Sequence, residues 1–228
     1  MTDVNMTELR DLYAQICVCC DCQLPQGFCP QLRPPGPNYK PGGVAFVQIN
    51  PGQVGSLSDQ KIAKYRTENA RNIATRKATD TRQLLSLQEE FVKNPSDTTY
   101  ERMRTAFFTS MSELWGWPPG KYGSTIEAHG VSLEAVAFLN LAQCPVPDDS
   151  YRRHQLDLCW SKWTSRMLML LRPAVIVAQG KQAWDFIRGR QLPLDATLVE
   201  GLHHADRRSR EVKEGLLSGV RDALRNRT

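Results

Sequence analysis

Three short β-prone apolar runs, each separated from the next by helical sequence, constrain this chain more than any other feature. The first, Val44-Ala45-Phe46-Val47-Gln48-Ile49, ends in Asn50-Pro51-Gly52; the second runs from Ala135 to Leu141; the third, Ala174-Val175-Ile176-Val177-Ala178, leads to Gly180. Continuous apolar runs of this length bounded by turn residues read as strands buried on both faces. Residues 196–202 supply a candidate fourth strand. Helical spacing fills the intervals. Leu9, Leu12, Tyr13 and Ile16 behind a Thr7 cap predict a helix over 8–17, and Tyr100, Met103, Phe107, Met111 and Leu114 predict one over 99–114, capped by Ser96 or Asp97. Leu156, Trp160, Trp163, Met167 and Leu171 form one stripe. Gly180 opens a helix through Phe186 that Gly189 closes, and a basic helix occupies 208–225. Strands alternating with helices predict an α/β chain whose sheet is covered on both faces and mostly parallel.

Between Leu24 and Gly43 six prolines and four glycines predict an irregular segment. Residues 58–94 are polar, mixed in charge and largely free of Gly and Pro, which predicts exposed or insertion-like helices. The 228 residues, 41% hydrophobic and 23% charged, exclude a disordered or fibrous chain and fit one domain over 1–228 with an expanded helical segment at about 55–115. Apolar runs fall far short of a membrane helix, and the polar start lacks a secretory pattern, so a cytoplasmic chain with no membrane partner is expected. A net charge of +5 permits a polyanionic partner without identifying one.

Seven cysteines cannot all pair within the chain, and five lie between positions 17 and 29, which in a reducing compartment points to metal ligation before disulfides. Cys19 and Cys22 have two residues between them. Cys144 and Cys159 have fourteen, one just past a strand and one inside the next helix, so the two pairs can meet at one sheet edge. Four thiolates suit a tetrahedral zinc or a four-iron cluster. Read without a metal, Cys144 and Cys159 are small buried hydrophobes. Cys20 is an alternative ligand, and Cys17 and Cys29 are assigned to packing and loop.

These motifs together resemble the uracil-DNA glycosylase superfamily, in particular its iron-sulfur branches, family 4 and its relatives. The resemblance covers roughly 8–52 and 134–225. It rests on the helix leading to Cys19-x-x-Cys22-x-Leu24, the strand ending Gln48-Ile49-Asn50-Pro51-Gly52, Asn140 four residues before Cys144, the Cys159 helix running into Leu171-Arg172-Pro173 and the strand–Gly180 unit, and Leu202-His203-His204-Ala205. It implies a three-layer α/β/α sandwich with a central, mostly parallel four-stranded sheet. It also implies a 4Fe-4S cluster, rather than zinc, on Cys19, Cys22, Cys144 and Cys159. Two departures stand out. The first motif looks like the Gly-Ile-Asn-Pro-Gly of mismatch-specific and thymine glycosylases rather than Gly-Glu-Ala-Pro-Gly, and His204 stands where the second motif usually has proline. Both leave the substrate range open.

The chemistry implied is hydrolytic excision of uracil or a related damaged or modified base from DNA, by a monomer, leaving an abasic site. The base is flipped from the stack and read at its Watson–Crick edge. By the resemblance, Asn140 pairs with that edge, Gln48 and Gly52 belong to the same base-binding site, and Asn50 positions the attacking water. His203, with His204 as its rival, donates to the departing base as charge develops. Taken alone, Asn140 is an amide bonding strand-end backbone, Asn50 a turn residue, and the histidine pair a surface loop or metal site. Arg207, Arg208 and Arg210, with Lys213, are expected phosphate contacts, Asp206 lying in the same loop. Tyr65, Trp117 and Tyr122 are candidates for stacking on the base. A noncatalytic iron-sulfur nucleic-acid-binding protein and a structural zinc protein are the alternatives from other classes.

Overall fold

The apolar runs form the sheet. The structure, a computed structural model, describes residues 5–22, 30–49, 63–64, 66–113, 121–145, 151–193, 195–203 and 207–226, with backbone alone at 77 and 121–124. Strands β1 (Val44–Gln48), β2 (Val136–Asn140), β3 (Val175–Gln179) and β4 (Thr197–Gly201) pair in the order β2-β1-β3-β4, all parallel. Every residue of β1, β2 and β3 is buried, as unbroken apolar runs require when both faces are covered.

Alternation along the strands divides the core into two layers. Ala45, Val47, Ala137, Leu139, Ile176 and Ala178 share one cluster with helix α1 (Met6–Cys17). Val44, Phe46, Val136, Phe138, Val175 and Val177 share the other. Helices lie on both faces, so the expected three-layer α/β/α arrangement is what forms. Helices α2 (Glu68–Lys93) and α3 (Asp97–Glu113) contribute to it. Phe91, Tyr100 and Met103 pack into the first cluster, Phe107 and Met111 into the second. The polar 58–94 stretch is therefore not simply exposed. Along α2, Ala74, Ala78, Thr81, Gln88 and Phe91 are buried, a stripe too small and too polar to show as apolar periodicity.

β2 lies at an edge of the sheet yet is fully covered. The proline-rich segment does the covering: residues 30–36 are buried, Gly36 N–H donates to the Val136 carbonyl at 2.8 Å, and Gln31 N–H to the Gln143 carbonyl at 2.9 Å. Gln88 of α2 then reads this segment as a strand neighbour would. Its Oε1 accepts from Leu32 N–H at 3.0 Å and its Nε2 donates to the Pro30 carbonyl at 2.7 Å. An uncovered edge would expose backbone groups to foreign strands.

The remaining helices are α4 (Lys121–Ala128), α5 (Arg153–Cys159), α6 (Ser165–Leu171), α7 (Lys181–Ile187) and α8 (Arg210–Arg225). A π-helical turn, Trp160–Thr164, joins α5 to α6. Two caps differ in detail from the sequence reading. Asn5, not Thr7, caps α1, its side chain accepting from Glu8 N–H, because the helix begins two residues earlier than the apolar spacing shows. Ser96 serves α3, its Oγ accepting from Thr99 N–H at 3.3 Å, while Asp97 is already helical.

Candidate active site and metal centre

The C-terminal ends of parallel strands are where α/β sheets gather ligands. Here β1 and β2 end in register, Gln48 opposite Asn140, and β3 ends at Gln179 opposite Gly201 of β4. Period-two alternation puts all three amides on the face of Phe46, Phe138 and Val177. Gln48 Nε2 donates to Asn140 Oδ1 at 3.1 Å. Asn140 is 1% exposed, and its Nδ2 has no acceptor among the described residues. An unpaired buried donor costs about 1–3 kcal/mol. Asn140 thus keeps a donor in reserve, while its oxygen retains a second lone pair for a lactam N–H. Gln48, expected to touch the base, has its amide nitrogen on Asn140 and orients it. Gln179, 3% exposed, is a third edge amide that the sequence reading passed over as the end of an apolar run.

His203 lies just past the far end of the same edge. Gly180, at φ +86°, donates its N–H to the Gly201 carbonyl at 3.1 Å, and a Cβ on it would stand 3.3 Å from His203 Cβ. With β1 and β3 between them, the backbones of β2 and β4 stand about 14 Å apart, three spacings of ~4.8 Å. Two side chains with a flat base between them span such a gap. Asn50, Gly52, Tyr65, Trp117, His204 and Asp206 lie outside the described residues, as does the Tyr122 side chain. Beyond β4, Arg207 is exposed. Arg208 is drawn into the fold by Glu200 at 2.7 Å, and Arg210 pairs with Glu214 on an exposed helix face at 2.6 Å.

Three of the cysteines, Cys19, Cys22 and Cys159, come together on the opposite face of the sheet from these amides. Cys159 donates to the Cys22 sulfur and feels the charge of Cys19. Gln143 N–H donates to Cys159, which places this sulfur against the residue preceding Cys144, whose carbonyl in turn accepts from Tyr151 Oη at 3.1 Å. Cys19 donates to the Asp21 carboxylate at 3.3 Å, while the Asp21 N–H and the Trp163 indole N–H act in the other direction and favour its thiolate. An ion pair between Lys162 and Asp21 ties the Cys19–Cys22 loop to the π-helical turn. Burial, the largest influence, raises the proton affinity of Cys19, Cys22 and Cys159, the last to about 12.

Among the described residues no three His, Cys, Asp or Glu side chains already stand in ligand geometry around one point. What the fold supplies is three neighbouring sulfurs, those of Cys19, Cys22 and Cys159, with N–H groups beside them that lower their proton affinity. Such donors stabilise thiolates and tune thiolate-bound metal centres. A four-sulfur centre here would be held by Cys19, Cys22 and Cys159 together with Cys144, the residue after Gln143. Cys20 is exposed, and Cys29 lies outside the described residues.

The two sites share a wall. The Asn140 carbonyl accepts from Gln143 Nε2 and from Thr164 Oγ1, both at 2.8 Å, and Gln143 Nε2 also reaches Thr164 Oγ1 at 3.2 Å. Gln143 therefore touches a cysteine through its backbone and Asn140 through its side chain. The π-helical turn brings Thr164 inward; such turns recur at functional sites. Neither Trp163 nor Thr164 stood out in the sequence beyond the apolar stripe. Among the described residues no helix is long and apolar enough to cross a membrane. Compared with protein-family models and with curated proteins, the chain matches none.

Proposed function

We propose that this chain is a monofunctional DNA glycosylase of the uracil superfamily type, a cytoplasmic monomer that flips out uracil or a related base and hydrolyses its N-glycosidic bond. The observation that carries the reading is the buried Asn140 amide, fixed by Gln48 and holding an unused donor at the strand-end edge that also leads to His203. Asn140 pairs with the base edge. His203 donates to the base oxygen on which negative charge accumulates, which in comparable sites is worth about 2.7–4 kcal/mol. Asn50 orients water toward the sugar, and Gly52 lets backbone approach the base. Arg208 and Arg210 already pair with Glu200 and Glu214, so phosphate contact falls first to the exposed Arg207.

Cys19, Cys22, Cys144 and Cys159 hold a 4Fe-4S cluster in this reading. A cluster held there would be structural and would supply no redox step. The same sulfurs suit zinc, so metal analysis and visible absorbance of purified protein separate the two.

The test is incubation with oligonucleotides bearing uracil, hypoxanthine, thymine mispairs or modified pyrimidines, followed by alkaline cleavage of abasic sites. At least one base is released by the wild type, and release is lost in Asn140→Ala and in His203→Ala. No release from any substrate, or release unaffected by either substitution, overturns the assignment.

A further inference from the structure

His129 is completely buried one residue past α4, and both ring nitrogens are committed. Its Nε2 lies 3.1 Å from Leu202 N, and its Nδ1 lies 2.6 Å from the Thr125 carbonyl oxygen. A backbone N–H only donates and a carbonyl only accepts. Nε2 must therefore carry the lone pair and Nδ1 the proton, which selects one neutral tautomer. Leu202 is the residue between the end of β4 and His203.

The ring is held from every side. Phe46 of β1 meets it edge-on, with centroids 5.3 Å apart and planes at 68°. Gly201 of β4 lies so close that a Cβ there would stand 3.4 Å from His129 Nε2 and 2.1 Å from Val177 Cγ1 of β3. From α8, Arg221 donates to the Ala128 carbonyl at 2.7 Å and fixes the end of α4. Arg221 is also the charged group among the described residues whose field acts on the imidazole.

We propose that His129 is a positioning residue for the base-release histidine: its neutral Nδ1–H form anchors Leu202 N–H and thereby sets where His203 stands against the sheet edge. The proposal rests on the reading of His203 given above. A proton on Nε2 would place two N–H groups face to face and release Leu202. Burial first, and the Arg221 charge as well, keep that proton off until the pH falls below the ordinary imidazole range, against the pull of the Thr125 carbonyl.

Nitrogen-15 NMR of the full chain tests this without any substrate. The chain has four histidines, and a His129→Gln spectrum identifies the His129 ring by its absence. The expected pattern is protonated Nδ1 and unprotonated Nε2 at neutral pH. On acidification, protonation of Nε2 shifts the Leu202 amide and the His203 ring together. An Nε2–H tautomer, or titration that leaves both probes unmoved, overturns the proposal.

In single-turnover excision, His129→Gln keeps an acceptor that does not titrate and loses the acidic limb of the rate profile while staying within about threefold of wild type at neutral pH. His129→Leu, which leaves Leu202 N–H unanswered, falls by about tenfold or more. Equal rates and equal pH profiles in both variants overturn the proposal. Should the wild type release no base at all, the glycosylase reading fails, and the NMR result still decides for or against the positioning role.

Discussion

The sulfur wall and the amide edge sit on either side of Asn140, and they treat their polar groups in opposite ways. Around the cysteines polar partners are supplied: Asp21 N–H and the Trp163 indole serve Cys19, which itself donates to the Asp21 carboxylate, and Gln143 N–H serves Cys159. At the amide edge a donor is withheld from every internal acceptor, since Asn140 Nδ2 is buried and unpaired among the described residues. A site that holds a resident group is stabilised by saturating it, whereas a site that must receive and release a ligand keeps capacity open. The Gln143–Thr164–Asn140 carbonyl network makes the saturated side the support for the open one.

The largest effect that would break this contrast lies on the sulfur side. Cys159→Ser should abolish metal retention and cost more than about 4 kcal/mol of stability, the range in which loss of a metal site falls; metal analysis and thermal melts check it, and full metal content in the variant would undo the four-sulfur assignment. On the amide side the split runs the other way. Asn140→Ala should lower base excision by about 10²–10³-fold while costing only about 1–3 kcal/mol of stability, because Gln48 Nε2 loses Asn140 Oδ1 as its acceptor but the removed Nδ2 was already unsatisfied. A matching collapse of stability would make Asn140 a packing residue.

A smaller effect comes from pH. The proton affinity of His129 is depressed in the fold by burial, so the unfolded chain binds the proton more readily. Its stabilising contribution is complete above the ordinary imidazole value of about 6.5 and is lost as pH falls from there through the depressed value of the folded state. Denaturant melts between neutral and mildly acidic pH should show that slope in wild type and a shallower one in His129→Gln. The smallest effect belongs to Lys162→Gln. The Lys162–Asp21 pair is half exposed, so its loss should leave the melting temperature nearly unchanged, with metal retained.

Much of this architecture is legible residue by residue. The run over 44–49 becomes β1, 196–202 contains β4, and the stripe through Trp160 and Trp163 is buried as its spacing predicts. Other features leave no local trace. The stripe on α2 is built from Ala, Thr and Gln around Phe91, so apolar counting reads it as surface. Trp163 carries the same apolar weight whether or not its indole N–H reaches a sulfur. His129 is a lone histidine after a short helix, a position that by itself is indistinguishable from a surface turn.

By itself the sequence determined the alternation of strand and helix, the burial of three strands on both faces, and which cysteines were available to converge. All of these follow from interactions within a few residues: the period of a helix, the pleat of a strand, the stop imposed by proline and glycine. Only the tertiary structure decided that Gln48 answers Asn140, that Gln143 joins a sulfur to that same asparagine, and that His129 meets the backbone of Leu202 across a sequence separation of 73. Those partners are chosen by strand order and register, which emerge from how both faces of the whole sheet bury their apolar surface and are written in no single segment.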